Sequence, residues 1–259
     1  MSSDRPGEIA SDLYLNRGAN DADHRCEVNL QLGDFDLGGA LLDVLNLLPG
    51  ETLIDVGCGS GRLLERFAER LQPGGLAQGF DISEEAVWAT RKRELEADVA
   101  DAADLPVTNA FADALTCIFA IYYHDDLVQV LSEFSRVLKK GGRIAIAGPA
   151  RETNRELYEF HRRATGAEPS DADTMALGYV EEIVKPAIQA EGFDHIQFSN
   201  QTNRIVFPDS RRFLDYWTAT SLFARTPGAS LDKGRRVLAS HEGPVVVTKV
   251  VSILAAIRS

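Results

Sequence analysis

The sequence predicts an α/β fold: a parallel, doubly wound sheet, completed by an antiparallel strand pair and topped by helical elaborations. Three observations lead there. Strand-like and helix-like segments alternate from residue 51 to 148, the rhythm of a parallel sheet with crossover helices. Ala114 to Tyr122 (ALTCIFAIY) is almost wholly apolar, as a strand covered on both faces should be. His195 to Phe207 and Val245 to Ile257 are long, alternating and rich in β-branched residues, which suits an antiparallel pair. At 259 residues and 44% hydrophobic content, the chain accommodates one such domain with elaborations, or a domain plus a cap.

Each element has its own signal. Residues 1–20 are polar. Leu37 to Leu48 (LGGALLDVLNLL) has apolar residues at helical spacing, and Pro49-Gly50 stops it. Leu53 to Val56 reads as a buried strand, followed by a glycine turn and a helix that opens near Ser60 and runs to about Leu71, where Gln-Pro-Gly-Gly ends it. Leu76 to Phe80 is a second strand ending at Asp81. Ser83 then caps a helix through about Leu95, with Glu84 and Glu85 in its first turn. Ala97 to Ala102 predicts a brief third strand, and Asp104-Leu-Pro106 turns the chain. The fourth strand, Ala114 to Tyr122, leads to a helix from Leu127 to Leu138 with Lys139-Lys-Gly-Gly142 at its end. Arg143 to Gly148 is the fifth strand.

Beyond Pro149 the rhythm changes. Helices are expected over Thr153 to Ala164 and Val180 to Glu191, with an acidic loop at Gly166 to Asp173 (GAEPSDAD) between them. Ser210 to His241 carries a helical piece with Phe213, Leu214, Tyr216 and Trp217, then a Pro-Gly turn. Segments 151–179 and 208–241 are therefore expected to cap the carboxyl edge of the sheet, where open α/β sheets bind ligands. The domains divide as an N-terminal helical cap (1–48), a cofactor core (49–150), cap insertions with a sixth strand (151–241) and a final antiparallel strand (242–259).

Charge narrows the partners. Lys and Arg total 27 against 39 Asp and Glu, a net of −12. Such a field repels phosphate backbones and anionic membranes, which argues against nucleic acid as substrate. The doublets Arg162-Arg163, Arg211-Arg212 and Arg235-Arg236 read as solvated helix faces. Cys26, Cys58 and Cys117 form no CxxC pair, so neither a disulfide framework nor a zinc site is implied. The five histidines show no metal-ligand spacing. MSSDRPGEIASD lacks the layout of a signal peptide, and no apolar run reaches the roughly 20 residues that span a bilayer. A soluble cytoplasmic protein without membrane insertion is expected; its oligomeric state is open, a homodimer among the options.

The chemistry concentrates in Glu51-Thr-Leu-Ile-Asp-Val-Gly-Cys-Gly-Ser-Gly-Arg-Leu-Leu-Glu65. A strand, a glycine turn (Gly57, Gly59, Gly61) and a helix N-terminus let a ligand lie against bare backbone. Asp55, at the strand's end, would repel a diphosphate and hold an ammonium or sulfonium. That tilts the reading from nicotinamide dinucleotides toward S-adenosylmethionine.

With Gly79-Phe-Asp-Ile-Ser83, Ala100-Asp-Ala-Ala-Asp-Leu-Pro106 and Arg136-Val-Leu-Lys-Lys-Gly-Gly142, the chain resembles class I S-adenosylmethionine-dependent methyltransferases. It resembles in particular the branch whose small-molecule members include ubiquinone and menaquinone biosynthesis enzymes. The resemblance covers about residues 40–150. It implies a Rossmann-like seven-stranded doubly wound sheet, mostly parallel with an antiparallel last strand, and S-adenosylmethionine as cofactor with S-adenosylhomocysteine as product. The implied activity is methyl transfer to an oxygen, nitrogen or carbon nucleophile of a small molecule in a biosynthetic pathway. The alternative is non-methyl chemistry on the same cofactor, such as cyclisation or aminocarboxypropyl transfer.

Cofactor roles follow by position. Gly57 and Gly59 admit the methionine and ribose parts, Gly61 belongs to the same turn, and Cys58 is a small turn residue. Asp81 accepts both ribose hydroxyls, or merely caps a helix. Ile82 packs on adenine and Leu105 closes its other face. Asp101 accepts from the adenine amino group while the Ala102 N–H meets a ring nitrogen. Ile118 and Phe119, at the end of strand four, complete the cofactor set. Where many relatives carry two histidines, this chain has Tyr122 and Tyr123, with His124 one place on. His124 is read as a base oriented by Asp125 or Asp126, or as a cap of the next helix. Tyr123 is its catalytic companion. Tyr122 is assigned to the substrate, together with Tyr14, Arg17, Tyr158, His161, Tyr216 and Trp217, which would wall an aromatic cavity.

Overall fold

The structure, a computed structural model, describes residues 27–29, 31–239 and 241–259. Tyr14, Arg17 and Cys26 lie outside the described residues. Strands β1 (Thr52–Val56), β2 (Leu76–Asp81), β3 (Glu96–Val99), β4 (Ala112–Ile118), β5 (Leu138–Pro149), β6 (Phe193–Phe207) and β7 (Val245–Arg258) form one seven-stranded sheet in the order β3-β2-β1-β4-β5-β7-β6. The first five are parallel to one another, and β7 runs antiparallel to both β5 and β6. The chain steps outward from β1 to β3, then crosses back to β4 on the other side of β1. The strand order therefore reverses between β1 and β4, opening a crevice at their carboxyl ends.

Both faces of the central strands are covered. Helices α1 (Leu37–Leu45) and α2 (Arg62–Leu71) bury Leu41, Leu45, Leu64, Phe67 and Leu71 on one face. On the other, α4 (Leu127–Val137) buries Val130, Leu131, Phe134 and Val137 against Ile54, Leu115 and Ile144. The alternation of β4 decides this: Cys117 joins one core and Ile118 the other. Between α2 and α4, helix α3 (Glu84–Arg91) packs on β2 and β3. Its cap is Ser83, whose hydroxyl accepts the Ala86 N–H at 3.3 Å.

Several elements are shorter than the sequence predicts. Helix α3 stops at Arg91 rather than Leu95, because Glu94 turns left-handed (φ 62°) to start β3. That strand ends at Val99, and Asp101 to Asp104 forms a tight turn. The fourth strand ends at Ile118, not Tyr122. Phe119 takes φ 57°, and Ile121–Tyr123 makes a single 3₁₀ turn. The expected acidic loop holds a helical turn, α6 (Asp171–Thr174), fixed by a reciprocal Ser170–Asp173 capping box. The expected helix over Val180 to Glu191 is a π turn (Val180–Val184), an α turn α7 (Lys185–Ile188) and a 3₁₀ turn (Gln189–Glu191). Pro186 lacks the N–H that a regular ladder needs, and the wider turn precedes it.

The β6–β7 ribbon outruns the sheet: Val245 to Val250 pair with β6 beyond the last partner that β5 supplies. There α5 (Arg155–Thr165), α8 (Ser210–Thr218) and α9 (Ser221–Arg225) build a separate core from Leu157, Phe160, Ile205, Phe207, Phe213, Tyr216, Trp217 and Val247. Helix α10 (Leu231–Leu238) lies over α5 and α8. Among the described residues no helix is long and apolar enough to cross a membrane.

Candidate cofactor site

The crevice at the β1–β4 switch point is a cavity of about 320 Å³. Its wall comes from the ends of four strands. Val56 and Gly57 lie at the end of β1, Asp81 and Ile82 at the end of β2 and Ala100 to Ala102 after β3, while Cys117, Phe119 to Ile121 and Tyr123 to Asp125 lie at and beyond the end of β4. Among the described residues its ionisable side chains are Asp81, Asp101, Asp125, His124, Tyr123 and Cys117, without a lysine or arginine. A phosphate would meet three carboxylates and no cation. A sulfonium or ammonium meets the charge it needs.

The glycine turn is set by close approach. Gly57 has φ 74°, and a Cβ there would stand 2.3 Å from the Cβ of Ala120. The expectation that a Cβ at Gly57 would strike the ligand is thus revised: the nearer obstacle is the chain after β4. At Gly59 (φ 57°) nothing lies within 4 Å of that position. Gly61 (φ 78°) rests against Thr90 and starts α2. Cys58 is buried in a small core with Val87 and Ala97, and burial pushes its thiol well above the usual range. It is a packing residue rather than a nucleophile.

Asp81 is 3% exposed. One of its oxygens accepts the Gly59 N–H and the other the Ser83 N–H, both at 2.9 Å. The carboxylate thus ties the glycine turn to the start of α3 and reaches the cavity between them. Asp55 lies deeper, 2% exposed, and takes the Thr116 hydroxyl at 2.6 Å. Burial, reinforced by the charge of Asp81, pushes its pKa up to about 7 against the opposing Thr116 bond. Asp55 does not line the cavity.

On the opposite wall, Asp101 Oδ1 accepts the Ala103 N–H at 2.8 Å and lies 3.2 Å from His124 Nε2. The other ring nitrogen of His124, Nδ1, accepts the Asp126 backbone N–H at 3.0 Å. The expected orienting carboxylate was that of Asp125 or Asp126; the side chain that holds His124 is that of Asp101, from another strand end. Asp126 instead caps α4 by accepting the Gln129 N–H at 3.0 Å.

The remaining sequence-predicted residues divide. Gly57, Asp81, Ile82, Asp101, Ala102, Phe119, Tyr123 and His124 line this cavity together. Ile82 and Phe119 are exposed apolar side chains, 49% and 37%, facing it from β2 and β4. Leu105 and Ile118 do not line it. They are core residues, and Leu105 instead donates its N–H to Glu133 Oε1 at 2.6 Å. Tyr122 is buried too, its ring 4.7 Å from Tyr123 and 6.3 Å from Tyr179.

The expected aromatic wall from the cap is corrected. Tyr216, Trp217 and His161 are buried at 1%, 0% and 0% exposure, and Tyr158 packs against the same core. Trp217 Nε1 donates to His161 Nδ1 at 3.1 Å, and His161 Nε2 faces Thr226 Oγ1 at 3.0 Å. These residues hold α5, α8 and α9 together, and none lines the cavity. Sequence reasoning missed Thr116, Ala120 and the Glu133–Arg136 pair. Only the last had a usable signal, an acidic residue one helical turn before the quoted Arg136.

Residues 54–146 match the family described as a methyltransferase domain. Nocamycin O-methyltransferase of Saccharothrix syringae is 36% identical over 116 residues, 42% of this chain and 41% of that one. The chain thus spans about two fifths of the length of that relative. The ubiquinone/menaquinone biosynthesis C-methyltransferase UbiE of Caulobacter vibrioides is 29% identical over 188 residues, covering 62% of this chain and 75% of its own. A SAM-dependent methyltransferase structure from Aquifex aeolicus shares the fold, with a TM-score of 0.58 at 14% identity over 93% of this chain and 98% of that one. The match over residues 54–146 and the shared fold make this chain similar to S-adenosylmethionine-dependent methyltransferases.

Proposed function

We propose that this chain transfers the methyl group of S-adenosylmethionine to an oxygen, nitrogen or carbon nucleophile of a small molecule in a biosynthetic pathway. The observation that carries the reading is the composition of the cavity: carboxylates at three strand ends (Asp81, Asp101 and Asp125), apolar side chains such as Ile82 and Phe119 among them and, among the described residues, no lysine or arginine. In this reading Asp81 receives the ribose hydroxyls, because its carboxylate reaches the cavity from the end of β2 and can accept two hydroxyls at once. Asp101 receives the adenine amino group, Ala102 offers its N–H to the ring, and Ile82 packs on the base. Gly57 and Gly59 face the methionine portion.

The cofactor supplies an activated methyl on a positive sulfur, whose charge disperses as the methyl leaves. The protein's share is then positioning and exclusion of water. Phe119, held at a positive φ unusual for a bulky residue, projects from the end of β4 together with Ile121 and Tyr123. These side chains would hold the acceptor in line with the S–CH₃ bond. A neutral or cationic, partly apolar acceptor fits the acidic rim and aromatic wall. The family relatives named for O- and C-methylation support the same class of reaction.

Calorimetric titration with S-adenosylmethionine and S-adenosylhomocysteine tests the reading directly. Micromolar binding that drops by roughly 2–4 kcal/mol in Asp81→Ala is expected from loss of two charge-assisted hydrogen bonds. Absence of binding by the folded wild type overturns the proposal. Turnover that releases methylthioadenosine instead of S-adenosylhomocysteine replaces methyl transfer with aminocarboxypropyl transfer.

A further inference from the structure

We infer that His124 is a positioning residue for adenine recognition rather than a base: it fixes one oxygen of Asp101 so that the other selects a 6-amino purine. The inference rests on the cofactor reading above. Its geometry is local and complete. The Asp126 N–H donates to Nδ1 at 3.0 Å, so Nδ1 carries no proton and the neutral ring holds its hydrogen on Nε2. Nε2 lies 3.2 Å from Asp101 Oδ1, which accepts the Ala103 N–H at 2.8 Å. Oδ1 is thereby flanked by two polar N–H groups. Oδ2 receives no hydrogen bond from the described residues, and the Asp101 side chain, 48% exposed, stands in the cavity wall.

Both ring nitrogens are already used, which argues against His124 as a base. Taking a proton at Nδ1 means breaking the Asp126 bond, and Nε2 has a lone pair only after its own proton is lost. The same ring is well placed as a strut. It stands on the turn after β4 and reaches the turn after β3. Without the ring, the exposed Asp101 carboxylate would be held by the Ala103 N–H alone. With Oδ1 pinned, Oδ2 is an acceptor of fixed direction, matched to an exocyclic N–H and mismatched to a carbonyl. A 6-oxo purine would leave two acceptors face to face.

The test uses two ligands and three proteins. Dissociation constants of S-adenosylhomocysteine and of S-inosylhomocysteine, its 6-oxo analogue, are measured by calorimetry for wild type, His124→Ala and His124→Gln. Gln keeps an N–H donor near the Nε2 position. The wild type is expected to prefer the 6-amino ligand by roughly tenfold or more. His124→Ala should shrink that preference about fivefold, mostly by weakening S-adenosylhomocysteine, and His124→Gln should restore part of it. An unchanged preference in His124→Ala overturns the inference, since a residue acting only as a base, or only in packing, leaves the ratio of the two ligands alone. A wild type that binds S-adenosylhomocysteine but does not discriminate also overturns it, while leaving the cofactor reading intact. Failure of the wild type to bind either ligand removes the cofactor reading and the inference together.

Discussion

At the end of β1 the Asp55 carboxyl has exchanged water for a single hydroxyl, that of Thr116, its register partner on β4. The sequence marks Asp55 as the anion that greets a cationic cofactor. The structure places it below the glycine turn, with the Asp81 carboxylate adding to its burial. With its pKa pushed up to about 7 from 3.8, ionisation of Asp55 opposes folding. The sign follows from linkage: the folded state binds the proton more tightly, so stability is full below pH 3.8 and falls as pH rises toward 7. Asn keeps the oxygen that Thr116 needs and removes the ionisation. Asp55→Asn should therefore raise the melting temperature at pH 8 by about 2–5 °C, and by less at pH 5. An equal gain at both values would show that the carboxyl titrates normally in the fold. The site thus divides its acids between an inner one that sets local polarity and three outer ones, Asp81, Asp101 and Asp125, that reach the cavity.

At the scale of elements, the loop after β3 has little secondary structure of its own, yet it carries Asp101 and Ala102 of the cavity wall. Helix α4 supplies what holds it. Glu133 Oε1 accepts the Leu105 N–H at 2.6 Å, while Arg136 donates to the carbonyls of Leu105 and Val107 at 3.0 and 2.9 Å and to Glu133 itself. Burial works to raise the Glu133 pKa, but these hydrogen bonds outweigh it and hold the group below its usual range. Glu133→Ala strands a buried N–H and releases the guanidinium, an expected cost of about 1–3 kcal/mol. Hydrogen exchange should quicken over residues 104–110, and S-adenosylhomocysteine binding should weaken several-fold. Normal protection there would show the loop to be self-supporting. This clamp also shows what was legible beforehand. The strand–glycine–helix unit, Asp81 and Asp101 sit at positions fixed by local signals, and the structure brings them to one edge. The strand stop at Ile118 depends on Phe119 turning to a positive φ, and the Ala120 contact with Gly57 depends on two distant turns meeting. Neither has a local signature. The cap aromatics failed for a related reason: aromatic residues at helical spacing look alike whether they face a ligand or a core.

Across the whole molecule, the sheet and the cap have separate cores joined by the β6–β7 ribbon, and the cap's core is knit by a buried histidine. His161 accepts from Trp217 Nε1 through Nδ1 and faces the Thr226 hydroxyl through Nε2, while Thr226 donates onward to the Leu222 carbonyl at 2.8 Å. Burial lowers its pKa below the ordinary value, with Asp173 opposing. Protonation would place a second hydrogen on Nδ1, against the Trp217 N–H that already points there. The folded state therefore binds this proton less readily than the unfolded chain. The contribution is fully present above about pH 6.5, the unfolded value, and is lost as pH falls toward the lower folded value. Asp55 works in the opposite sense, so the cap and the sheet respond oppositely to acid. Comparison with a non-titrating variant separates them. His161→Gln should be less stable than wild type by about 1–3 kcal/mol at pH 8, and the gap should narrow steadily on acidification to pH 5. Trp217 provides the local readout, because it is fully buried in the cap while Trp88 is 59% exposed on α3. A red shift in wild-type tryptophan emission should therefore precede loss of far-ultraviolet ellipticity as pH falls. A gap that stays constant between pH 8 and 5, or emission and ellipticity that change together, would mean that His161 packs the cap without coupling its stability to protons.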